Sequence, residues 1–175
     1  EGVALPAEED SPGMTVALAV DGVFAGRFFI SDVVREEAAG AVVALRKAGV
    51  RQVSMLSGDR EENARAVAEE LGLDGYLAGL LPEEKVEELE RVLGKPRSVR
   101  GRVAFVGDGL NDAPSLARAD VGIALGSSSD EAAMETADVI LADDHLSRVT
   151  EALTIAHRTR RIVRQNIVLA LGIKA

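Results

Sequence analysis

Residues 102–125 read RVAFVGDGLNDAPSLARADVGIAL. One apolar run, residues 103–106, stops at Gly107-Asp108-Gly109, and a second, residues 121–125, follows a short stretch containing Pro114. A buried strand, a glycine-relaxed turn, a short helix and another buried strand account for that order. The same alternation extends upstream. Residues 35–48 predict a helix closed by Gly49, residues 50–56 a strand, and residues 61–71 a helix with Gly72 behind it. Residues 76–78 predict a short strand, and Pro82 opens a helix over 83–93 that ends before Gly94. Downstream, Asp130 caps a short helix, residues 139–141 form a strand, and a long helix from about residue 146 closes the chain. Strands and helices alternating at this spacing imply an α/β fold with a doubly wound, mainly parallel sheet.

Residues 14–30 follow another pattern. MTVALAV and VFAGRFFI flank Asp21-Gly22, the signature of an N-terminal β-hairpin on a primed turn. The residues through Gly13 are acidic and hold proline and glycine, which reads as linker.

Composition narrows the function classes. The chain of 175 residues is the size of one ordinary domain. A net charge of -9 argues against a general nucleic-acid binder, so no nucleic acid is expected as partner. The chain has no cysteine, and His145 and His157 are too few for an imidazole-rich zinc or copper site. No signal peptide opens the chain, and Glu1 reads as a processed or cut terminus. Near the far end, Arg158, Arg160, Arg161 and Arg164 precede the apolar run IVLALGI, residues 167–173. That run is well short of the ~20 residues of a membrane span. Basic residues flanking an apolar run match the cytoplasmic border of a membrane helix, and an amphipathic helix docked on the core matches equally well.

In such a sheet, ligands bind beyond the carboxyl ends of the strands, and three polar groups fall at that edge. Ser57-Gly58-Asp59 follows the strand VSML. A hydroxyl with backbone N–H groups at a strand-to-helix turn suits a phosphate oxygen, and the same residues also make an ordinary helix-capping turn. Lys85, in LLPEEK, sits in a first helical turn that prefers anions. It either neutralises a phosphoryl group or pairs with Glu84 or Glu88 in solvent. The third group is Gly107-Asp108-Gly109-Leu110-Asn111-Asp112, where two carboxylates four residues apart can address one hard cation such as Mg²⁺. The plainer alternative has Asn111 or Asp112 capping the next helix.

Ser-Gly-Asp, Pro-x-x-Lys and Gly-Asp-Gly-x-Asn-Asp, in this order, resemble motifs two, three and four of the haloacid-dehalogenase-like hydrolases. GDGLNDAPSLARADVGIALG is very similar to the P-type ATPase form of the last motif. The resemblance runs from about residue 14 to residue 175. Asp32 and Arg35, in SDVVREEA, resemble the hinge signature between the nucleotide-binding and phosphorylation domains, with Val33-Val34 where many members have prolines. Ser57 stands where many have threonine. The stretch from ETADVILADD to ALGIKA resembles the zinc/cadmium/lead exporters, in which a lysine in the place of Lys174 opens a membrane helix.

The resemblance implies a part of an ATP-driven heavy-metal pump, the cytoplasmic domain of an integral membrane protein. Residues 1–31 would be linker and the tail of the nucleotide-binding domain, residues 32–160 a partial phosphorylation domain, and residues 161–175 the start of a membrane helix. Its partners would be the nucleotide-binding, actuator and transmembrane domains of the same pump, with Mg²⁺ as cofactor and ATP as substrate. The implied catalytic residues are Ser57, Lys85, Asn111 and Asp112. Asp108 and Asp112 would hold Mg²⁺, while Asp32, Arg35, Gly58 and Asp59 would sit near the hinge and nucleotide. Lys174 would touch the transported-ion pathway. A soluble phosphatase fragment and a non-catalytic Mg²⁺- or phosphate-binding module are the alternatives.

The family's nucleophile lies in an Asp-Lys-Thr-Gly-Thr string, which does not occur in residues 1–175. Its strand would run between VSML and VAFV, and without it those strands would face a gap of ~10 Å. Three outcomes are open: a strand from elsewhere fills the gap, the two strands close on each other, or the chain is only marginally stable.

Overall fold

The structure, a computed structural model, describes residues 14–30, 33–107, 110–126 and 131–174, and the chain divides into two units, Glu1–Arg35 and Glu36–Ala175. In the first unit, β1 (Met14–Val20) pairs antiparallel with β2 (Val23–Ile30). Asp21 and Gly22 take φ of 51° and 78°, the two left-handed positions a primed turn requires. The register slips at Leu18/Ala19, and Arg27 lies 5.7 Å from the Phe24 ring centre.

The second unit alternates helices and parallel strands. The helix α1 (Ala38–Lys47) ends in a turn where Gly49 takes φ of 100°, and β3 (Ser54–Leu56) follows. The helix α2 (Glu61–Leu71) stops at Gly72, in the left-handed conformation, before β4 (Gly75–Leu77). Then come α3 (Pro82–Leu93), a four-residue α4 (Arg97–Arg100) and β5 (Ala104–Gly107). A 3₁₀ turn over Leu110–Asp112 leads into α5 (Ala113–Arg118) and β6 (Val121–Leu125). The chain closes with α6 (Glu131–Thr136), β7 (Val139–Leu141) and α7 (Ser147–Lys174).

Two expectations shift. The strand expected over 50–56 is paired only over its last three residues, because the Asp74 carboxylate takes the Val53 N–H at 2.7 Å and ends the ladder. The same device recurs at each later strand: Asp120 accepts from Val103 N–H and Asp138 from Gly122 N–H, both at 2.9 Å. In each case the aspartate precedes one strand and closes the amino end of its neighbour. The helix expected from residue 35 begins at Ala38, with Glu37 as its cap residue and the Glu37 side chain bonded to His145.

β5, β6 and β7 form one parallel sheet. Leu116 and Ala124 pack with Phe105 and Ala137, while Ile123, Leu125 and Val149 pack with Leu45, Val106 and Leu141. The alternating residues of β6 therefore join separate clusters, one with α5 and one with α1 and α7, which is the doubly wound arrangement. Gly122 is essential to the first: a β-carbon there would lie 2.4 Å from the Leu116 carbonyl oxygen. β3 and β4 form a separate two-stranded parallel sheet. Among the described residues β3 and β5 do not pair, so the two strands do not close on each other.

Candidate functional site

Lys85 sits in the first turn of α3, where Pro82 supplies a preset φ and the Glu84 carboxylate accepts the Leu81 N–H at 2.7 Å. Its ammonium does not reach Glu84 or Glu88, which corrects the solvent-pair alternative. Lys85 Nζ donates to Asp112 Oδ1 at 2.9 Å, with both side chains only 16% exposed. Glu88 instead pairs with Arg91.

Asp112 lies against Gly107, the last residue of β5. A β-carbon on Gly107 would come within 2.7 Å of Asp112 Cβ and 2.8 Å of its Oδ2. Glycine is needed there so that the carboxylate can lie over the strand tip. Asp112 occupies the cap position of α5 without any side-chain capping bond, so capping does not explain it. Its Oδ2 carries no hydrogen bond to the described residues. Asn111 is exposed in the 3₁₀ turn.

Ser57 follows β3 directly. Its Oγ accepts the Asp59 N–H at 3.1 Å, which leaves the hydroxyl hydrogen available to donate. Asp59 accepts from Arg60 N–H at 2.7 Å and from Asn63 Nδ2 at 2.9 Å. These bonds, the Asn63 side chain first, hold its carboxyl below the usual carboxylate range. The helix-capping alternative is thus half right: Asp59 supports the entry to α2, and Ser57 braces the turn.

The Ser57 turn and the start of α3 are joined through their backbones. Ser57 N–H donates to Leu77 O at 2.9 Å, Leu80 N–H to Ser57 O at 3.0 Å, and Gly79 N–H to Asp59 O at 2.7 Å. Gly79 takes φ of 65° to make that approach, and a β-carbon on Gly58 would stand 3.3 Å from Leu80 O. A continuous series of contacts therefore runs from Ser57 and Asp59, through residues 77–81, to Lys85 and on to Asp112 and Gly107. The bridging role of Gly79 and Leu80 escaped the sequence reading, although a glycine before Leu-Leu-Pro was a visible turn signal. So did Asn63, whose spacing of four from Asp59 was the available sign.

Asp32 and Asp108 lie outside the described residues, as does the Lys174 side chain at the end of α7. Arg35 belongs to the first unit. Among the described residues no group of three or more His, Cys, Asp or Glu could hold a metal ion. No described helix is long and apolar enough to cross a membrane.

A family profile described as haloacid dehalogenase-like hydrolase matches residues 4–120. The chain belongs to that family. Within these hydrolases it is similar to a zinc-transporting ATPase of Synechocystis, with 53% identity over 95% of this chain and 23% of the relative. A cadmium, zinc and cobalt-transporting ATPase of Bacillus subtilis is 45% identical over 95% of this chain and 24% of its own length. A crystal structure of a zinc-transporting PIB-type ATPase in the E2.Pi state superposes with a TM-score of 0.74 at 38% identity, covering 90% of this chain and 25% of that one. The hydrolase chain thus spans about a quarter of the length of the pumps it matches, in the region of their phosphorylation domain.

Proposed function

We propose that this chain carries the Mg²⁺-binding and phosphate-stabilising half of the phosphorylation site of an ATP-driven heavy-metal pump. The observation that carries the reading is the Lys85–Asp112 pair over the tip of β5, tied by backbone bonds to the Ser57 turn. A cation, a hydroxyl donor and a carboxylate linked at a strand edge match the needs of phosphoryl transfer, which are positioning and charge compensation.

In the proposed reaction an aspartate on a strand outside residues 1–175, lying between β3 and β5, attacks the γ-phosphorus of ATP, so that an aspartyl phosphate forms as the bond to the bridging oxygen breaks and ADP leaves. Ser57 donates its hydroxyl hydrogen to a phosphoryl oxygen. Lys85 shifts part of its interaction from Asp112 to the charge that develops on the transferring group. Asp112 suits a hard cation because its Oδ2 is an oxygen donor without another bond among the described residues, and Asp108 would be the second carboxylate. Bound there, Mg²⁺ would supply charge neutralisation between nucleophile and phosphate. By the family resemblance, Asn111 would support that loop, and Asp32, Arg35, Gly58 and Asp59 would be the hinge and nucleotide residues.

By this reading residues 1–31 end a nucleotide-binding domain, residues 32–160 belong to the phosphorylation domain, and residues 161–175 begin a membrane helix. Lys174 lies at the ion pathway, and the cargo is zinc or cadmium. The remaining pump domains are the partners, and the chain faces the cytoplasm.

Labelled ATP with Mg²⁺ tests the proposal through acid-stable, hydroxylamine-sensitive label. The chain as given should take none. Restoring the upstream segment should produce label, and Asp108→Ala should abolish it. Label on residues 1–175 alone would refute the external nucleophile.

A further inference from the structure

Lys85 is the cation of the site, yet the helix that carries it is placed by another helix and not by a sheet. Among the described elements α3 packs mainly along α5. By contrast, α5 is fixed to the sheet: Leu116 is buried against Ala124 of β6, and its carbonyl oxygen lies over Gly122. The seam between α3 and α5 therefore sets where Lys85 stands over the tip of β5.

Two ion pairs bracket that seam. Lys85 with Asp112 is the first. The second joins Arg118 Nε to Glu90 Oε1 at 2.7 Å, with both side chains half exposed. Lys85 and Glu90 are separated by about 7.5 Å of helix along α3, and Asp112 and Arg118 by about 9 Å along α5. The matched spacings let both pairs form with the two helices running in the same direction. Ser115, midway between Asp112 and Arg118, is fully buried, and Leu89 beside Glu90 is buried too. A single link at one end would leave α3 free to pivot about it; the second link, at the other end, removes that pivot.

We propose that Glu90 and Arg118 are positioning residues, which hold Lys85 over the phosphoryl site while its ammonium exchanges Asp112 for substrate. The substrate is that of the proposed function, on which this role rests. As Lys85 turns towards the transferring group, the first link loosens, and the Glu90–Arg118 pair then keeps α3 in register with α5. An ion pair this exposed adds little to stability. Its effect falls on the placement of Lys85, where small misplacements of a reacting group are costly in rate.

A water-soluble carbodiimide joins a carboxylate to an amine that lies against it. The yield of the Lys85–Asp112 amide in the full chain, read by mass spectrometry after digestion, reports how closely the two are held. Glu90→Gln and Arg118→Gln should each lower that yield about two- to threefold, with the urea midpoint nearly unchanged. Glu90→Arg combined with Arg118→Glu should restore it. Once a segment carrying the nucleophile is joined to the chain, each single variant should slow the formation of label by more than that factor, at an unchanged half-saturating ATP concentration. Wild-type amide yield in both single variants overturns the role of the seam. So does a loss that the charge swap fails to restore, because the side chains and not their pairing would then be responsible. A wild-type rate of label in both single variants overturns the positioning role as well. No label even without these substitutions would refute the proposed function alone, since the amide forms without ATP.

Discussion

Lys85 and Asp112 are separated by 27 residues in sequence, yet they are the closest link between two of the three motifs. With both side chains mostly shielded, removing one partner leaves the other charge in a poorly solvated place. Lys85→Ala or Asp112→Ala should each lower stability by about 1–3 kcal/mol in urea titrations. The double variant should cost clearly less than the sum, and strict additivity would show that the pair does not couple. Gly107→Ala acts on the same pair from below. Its methyl group would displace Asp112, so it should lower stability by about 1–3 kcal/mol and, on the proposed function, prevent label once a segment carrying the nucleophile is joined to the chain. The three motifs and their residue types were legible in the sequence. That Lys85 chooses Asp112 over the neighbouring Glu84 and Glu88 was not, because local spacing favours i,i+3 and i,i+4 partners and only folding brings residue 112 near.

At the level of elements, α1 and α7 are held at their starts by His145 Nδ1 and Glu37 Oε2, 2.7 Å apart. The Glu37 hydrogen bond, its charge, and the nearby Asp143 and Asp144 raise the His145 pKa above 6.5. A folded-state value raised above the unfolded one gives stabilisation that is fully present below the unfolded pKa and lost as pH climbs through the folded one. The urea midpoint of wild type should therefore exceed that of Glu37→Gln below about pH 6, and the difference should shrink as pH rises through the raised value. A constant difference across that range would discount the staple. β6 and α5 meet more tightly. Gly122→Ala would push a methyl group into the Leu116 carbonyl, backbone against backbone, and should cost about 2–3 kcal/mol by thermal or urea unfolding. Element types were legible from periodicity and from glycine and proline punctuation. Their ends were less so, because the aspartates that close each ladder act across strands, and the short α4 was missed in a run dense with arginine.

Over the whole molecule, the described core is thin: twelve apolar residues are buried, and six of them are alanine. Two sheets that do not share a ladder leave strand edges without their main-chain partners. Less surface is then exposed on unfolding than for a compact domain of this length. The urea m-value of the chain should accordingly be low, and on the proposed function it should rise when a segment carrying the nucleophile's strand is joined to the same polypeptide. An unchanged m-value would mean that no strand enters between β3 and β5.

By itself the sequence determined the alternation of strands and helices, the hairpin and its turn, and the order of the three motifs. All of these are written in local periodicity and in residues with restricted backbone freedom. The tertiary structure alone decided that Lys85 pairs with Asp112 over a glycine at the tip of β5. It also decided that β3 and β5 stay apart. Those outcomes depend on contacts between residues far apart in the chain, and no local pattern encodes them.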